Sequence, residues 1–182
     1  MRSPTLEKLI GEPGLAPLGP NPRASRWPVA KLDPLLEAVF AEEAIAEGRQ
    51  PLFRAAILLW HDHLDASHTI SQGISSRDGS LLHGIMHRRE PDYGNAKYWF
   101  HRVGSHTVFP DILAAVKASP NLKSSASAFV REARSTRLWD PVAFIDGCEE
   151  AASLPDDHPD VVALRVIQEI ETRSLLRHFL DA

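Results

Sequence analysis

Cysteine is nearly missing from this chain: Cys148 is the only one in 182 residues. A single thiol excludes an intrachain disulfide and any zinc site built on thiolates, and it makes a reducing cytoplasm the expected location. Long apolar runs are missing as well. The longest, Ala55-Ala56-Ile57-Leu58-Leu59-Trp60, falls far short of the ~20 residues that cross a bilayer, so no membrane span is expected. The N-terminal residues carry no apolar stretch followed by a small-residue cleavage site, so no secretory signal is expected either. Charge of one sign is not in excess. Twenty Lys and Arg against 24 Asp and Glu leave a net charge of −4, which offers nothing to nucleic acid or anionic lipid. No Gly-rich phosphate loop, H-E-x-x-H or G-x-S-x-G occurs, so the common signatures of nucleotide binding, metalloprotease and serine-hydrolase chemistry are absent. No segment alternates every second residue with β-branched side chains, so strands are not expected.

What is present is helical periodicity. Apolar residues make up 43% of the chain, enough for the core of one domain. Residues 1–32 hold Pro4, Pro13, Pro17, Pro20, Pro22 and Pro28 with Gly11, Gly14 and Gly19 among them, a density that prevents long helices. A short helix is predicted around Thr5 to Ile10, and otherwise an extended arm pinned by Trp27. Asp33-Pro34 reads as an N-cap with proline at the first helical position, opening a helix that runs to Gly48. Further helices are predicted from Pro51 to about Ile74, from Asp78 to Glu90, and from Tyr93 to Val103 between an Asp92 cap and Gly104. Others follow at about Asp111 to Ser119, Ser125 to Thr136, Pro141 to Ser153 and Pro159 to Leu180. The expected fold is all-α: seven to eight helices packed as antiparallel hairpins over residues 33–182, one helical domain, with an extended Pro-rich N-terminal arm over 1–32. Helix pairs of this size also leave open a tetratricopeptide-like stack.

Histidine is the anomaly, since seven of nine lie between His61 and His106. Read as one helix, residues 51–74 place His61, Asp65, His68 and Gln72 on one stripe, with Leu52, Leu59, Ala66, Ile70 and Ile74 opposite. In the next helix Ser80, His83, His87 and Glu90 form a stripe opposite Leu81, Leu82, Ile85 and Met86. Side chains four apart suit two ligands of one metal or a hydrogen-bonded acid–base pair. If the two stripes face each other, His68, His83 and His87 form a metal site, with Asp65 or Glu90 as a fourth ligand or a base. A polar stripe opposite an apolar face is also what any surface helix presents. These stripes differ from an ordinary solvated face in carrying no lysine.

The segment from Pro91 to Gly104 sets Asn95, Tyr98 and Arg102 on one face and Lys97 and His101 on another. With Trp99 and the nearby Arg88, these residues form a candidate surface for a polar or anionic ligand. The competing reading puts Trp99 and Phe100 in the core and Lys97 and Arg102 in solvent or in ion pairs.

The block from Trp60 to His68 and the block from His83 to Trp99 resemble a family of uncharacterised microbial proteins. Its motif is W-x-D-x-L-D-x-S-H followed by H-x-I-M-H-R-R-E-x-D-Y-x-N-x-K-Y-W. The likeness covers about a quarter of the chain. It marks Asp65, His68, His83, His87, Arg88, Glu90, Asn95, Lys97, Trp99 and Arg102 as the distinctive residues and implies no particular reaction. Looser is the similarity of His68 and His83-x-x-x-His87 to the three-histidine metal sites of helical DinB-like bundles.

Two functions are therefore in play. One is a metal-binding or acid–base catalytic site that uses Asp65, His68, His83, His87 and Glu90, with zinc, iron or manganese as the candidate cofactor. The other is a non-catalytic helical-hairpin module that takes a peptide or small anion on Arg88, Asn95, Lys97, Trp99 and Arg102.

Overall fold

Backbone amides and carbonyls must find partners, and this sequence directs most of them into helices. The computed structural model describes residues 3–11, 14–123, 125 and 127–181. Pro13, part of the expected arm, lies outside the described residues. Among them the fold is all-helical, with eleven α-helices and no strand: α1 Pro4–Gly11, α2 Val29–Glu42, α3 Gln50–Trp60, α4 Leu64–Ser71, α5 Arg77–Arg89, α6 Tyr93–Val103, α7 Phe109–Ala118, α8 Pro120–Lys123, α9 Ala128–Ser135, α10 Pro141–Ala151 and α11 Pro159–Asp181. The count exceeds seven or eight because α1 and α8 are short and the helix predicted over 51–74 is two.

That division has a local cause. At the end of α3 the Asp62 amide donates to the Leu59 carbonyl (3.1 Å) and the His63 amide to the Leu58 carbonyl (2.8 Å). This is the hydrogen-bond pattern that closes a helix around a left-handed residue. Asp62 occupies that position at φ 60°, where glycine is usual. Its carboxylate is anchored there by Arg23 Nε (2.7 Å) and Arg89 Nη2 (2.9 Å). α2 ends the same way. The Ile45 amide donates to the Phe40 carbonyl (3.0 Å) with Ala44 at φ 53°, so the helix stops short of the predicted Gly48. α2 also starts early. The Lys31 and Leu32 amides donate to the Pro28 carbonyl, which leaves Pro34 inside the helix. Asp33 is then an exposed partner of Arg54 (2.6 Å) rather than a cap.

α5 is the centre of the molecule. Every residue from Gly79 to Arg89 is buried. It packs on α4 and α6, and α3 packs on both α4 and α5. Its mean hydropathy is not that of a core helix, because it carries His83, His87, Arg88 and Arg89. A helix that is polar on several sides is buried only if its charges are matched inside. Arg88 meets Glu171 of α11 through two bonds of 3.1 and 2.5 Å, and Arg89 meets Asp62. Leu81, Leu82, Ile85 and Met86 fill the remaining face, as the periodicity predicts.

The proline-rich stretch lies against this body. Leu6 and Leu9 belong to the same apolar core as Leu175 and Leu176 of α11. Arg165 and Gln168 of α11 donate to the carbonyls of Leu15, Ala16 and Pro17. Trp27 stacks on His61 with ring centroids 5.4 Å apart. No helix among the described residues is long and apolar enough to cross a membrane.

Candidate functional site

α4 is short, and it is placed by the turn at 61–63 and by Ser67, whose hydroxyl donates to the Ala55 carbonyl of α3 (2.9 Å). That orientation turns His68 toward α5. There it meets His83 and His87, which stand one helical turn apart. Ring centroids are 4.6 Å apart for His68–His83, 4.7 Å for His83–His87 and 5.3 Å for His68–His87. One ring nitrogen from each lies within 4.8 Å of the others. The two histidine-bearing faces therefore share one point in space, and the group could hold a metal ion.

The surroundings keep His83 and His87 neutral. Burial lowers the pKa of His83 from 6.5 to about 4, helped by the neighbouring His87 and His68. Burial also lowers that of His87, with Glu90 pulling the other way. The indole of Trp99 covers His83 (centroids 4.0 Å, 17° between planes), and Nδ1 of His83 is buried with no hydrogen-bond partner. Nδ1 of His87 lies 3.3 Å from a Glu90 oxygen. A proton on Nδ1 makes Nε2 the acceptor of the Asn95 amide, whose Nδ2 sits 3.1 Å away; a metal ion at Nε2 would take the place of that bond. An imidazole that donates its outer N–H to a carboxylate while its inner nitrogen accepts is in the tautomer that metal ligation needs.

Glycine makes this packing possible. A Cβ on Gly84 would fall 2.8 Å and 2.9 Å from two ring carbons of Phe100, so only glycine lets α6, and with it Trp99, approach α5 this closely.

The remaining predicted residues lie elsewhere. Asp65 is exposed on α4. It is not in the group whose ligand atoms lie within 4.8 Å of one another, and it lines, with Glu90, Arg26 and His63, a cleft of about 470 Å³. Glu90 touches both cleft and imidazole. His61, predicted on one stripe with His68, points the opposite way across the broken helix. It is fully buried, and its Nε2 bonds the Leu9 carbonyl (3.0 Å). Arg88 has no exposed surface and is held by Glu171. Lys97 is clamped by Asp146 (2.6 Å) and Glu149 (3.0 Å) of α10. Arg102 lies over Trp99 and Tyr98, 5.3 and 5.9 Å from the ring centroids. The five ligand-binding candidates thus do not converge: Asn95 and Trp99 join the histidines, Arg102 backs Trp99, and Arg88 and Lys97 are occupied.

A second group that could hold a metal joins Asp78, His106 and His178. Sequence reasoning did not find it. His106 and His178 are 28 and 100 residues from Asp78, and no local spacing signals such a contact.

Compared with models of protein families, with curated proteins and with solved structures, the chain shows no match.

Proposed function

We propose that the protein binds a divalent metal ion through His68, His83 and His87. The observation that carries this reading is three imidazoles from two helices meeting at one point, with a buried His83 nitrogen that nothing in the protein satisfies. Imidazole donors suit zinc or iron better than a hard ion such as magnesium. Three protein ligands leave positions open, and a metal so held would supply an acidified water and a Lewis acid. Glu90 contacts His87 and lines the neighbouring cleft, which supports it as the residue that takes or gives a proton there. Asp65 and Arg26 line the same cleft and would contact a polar ligand. The alternative, a non-catalytic hairpin module for a peptide or small anion on the 80–104 surface, retains Arg102, Asn95 and the exposed Tyr98. It has lost two of its cations to Glu171 and to the Asp146–Glu149 pair.

Elemental analysis of protein purified without a polyhistidine tag tests the proposal. About one ion per chain is expected, falling to background in His83→Ala while helicity is retained. Under about a tenth of an ion per chain after reconstitution with zinc, iron or manganese, with no thermal shift on adding them, refutes it.

A further inference from the structure

The Asp78–His106–His178 group has the composition of a metal site, yet its hydrogen bonds point to another role. Nε2 of His106 and Nε2 of His178 lie 3.1 and 3.2 Å from the same Asp78 oxygen. The amide of Val108 donates to Nδ1 of His106 (3.2 Å). A ring that accepts at Nδ1 carries its proton on Nε2, so His106 donates to Asp78 and has no lone pair to give a metal. This is the reverse of His87. The two imidazole N–H groups instead satisfy the Asp78 carboxylate, and they hold its pKa below the ordinary range, the His106 bond first.

The three residues line the floor of a cleft of about 500 Å³, together with Arg49, Arg77, Ser105 and Thr107. Nη1 of Arg49 is shielded from solvent and has no hydrogen-bond partner, and its charge acts on Asp78. Arg77 makes one long bond to the Ser105 carbonyl (3.4 Å). Two guanidinium groups stand against one carboxylate that is already satisfied, so the cleft carries an unmet positive charge and spare N–H donors. Hydroxyls of Ser105 and Thr107 add donors without charge. Guanidinium forks and hydroxyls are the groups that recognise phosphoryl oxygens.

We propose that this cleft is a binding site for a small phosphate-bearing ligand. Arg49 and Arg77 grip the phosphoryl group, and Asp78 fixes the ring of His178 at its edge. The site is separate from the histidine group on α4 and α5. His83 is five residues beyond Asp78 on α5, about 7.5 Å along the axis and about 140° around it.

Titration of the full-length protein with inorganic phosphate, followed by the imidazole resonances in ¹H–¹³C spectra and by calorimetry, tests this. Saturable one-to-one binding is expected, moving the His178 and His106 signals and leaving His83 and His87 in place. Arg49→Gln and, independently, the exposed Arg77→Gln should each weaken binding by about tenfold or more. His83→Ala should bind as the parent does. No saturation up to roughly 10 mM phosphate, or parent-like affinity in either arginine variant, overturns the proposal. So does stoichiometric zinc binding that moves the His106 and His178 signals, which would make this a cation site. These outcomes are independent of whether the other three histidines hold a metal.

Discussion

Glu171→Leu removes the partner of a guanidinium that has no exposure at all. The Arg88 and Glu171 side chains are 0% and 1% exposed, and both carboxylate oxygens are used. The guanidinium also lies 4.4 Å from the Phe144 centroid, and its Nε has no partner, so no spare acceptor waits nearby. An uncompensated buried charge costs about 3–5 kcal/mol. Against a total stability of about 5–15 kcal/mol for a domain of this kind, that is about a fifth of the fold's stability at the least. For ~180 residues it corresponds to a fall in Tm of ~10 °C. Replacing both partners, Arg88→Met with Glu171→Leu, removes the charge and its need together and should restore stability to within about 1–2 kcal/mol of the parent. Urea unfolding followed by circular dichroism measures all of these, with Arg88→Met alone completing the cycle, and a constant m-value shows that the native state has kept its compactness. A loss below about 1 kcal/mol in Glu171→Leu, or a double variant no better than the single, would show that this pair does not bear the burial of α5.

Two further outcomes test how the helices are placed. Gly84→Val puts atoms where Phe100 already stands, and overpacking there should cost about 2–3 kcal/mol in urea unfolding; a neutral variant would mean that α6 is free to move away from α5. His61 is buried against the Leu9 carbonyl and Trp27, and its pKa is about 4 against 6.5. Between those values the unfolded chain binds the proton and the folded chain does not. Stability therefore falls as pH drops from about 6.5 to about 4, by about 3 kcal/mol from this residue, and is unaffected by it above that window. Across this range the stability of the parent should fall more steeply than that of His61→Phe, since His83 and His87 act equally in both; parallel curves would contradict the assignment.

The sequence by itself determined the fold class, the boundaries of α6 and the register of α5. These depend on local terms: Asp92 capping the Asn95 amide, Gly104 at positive φ, and apolar spacing of three and four. It also marked the three histidines, because two lie one turn apart on a single helix and the third stands out against a lysine-free stripe. What sequence periodicity could not reveal was the break at Asp62. The left-handed aspartate there is held by Arg23 and Arg89, remote in sequence, which bind its carboxylate. From that break follows the parting of His61 from His68. The burial of α5 is likewise a tertiary result. Arg88 and Arg89 read as surface residues until Glu171 and Asp62 are brought beside them, and the contact of Asp78 with His178 exists only once α11 has folded across the bundle. Local chemistry fixes where a chain turns; which charges can leave water depends on partners that only the assembled fold supplies.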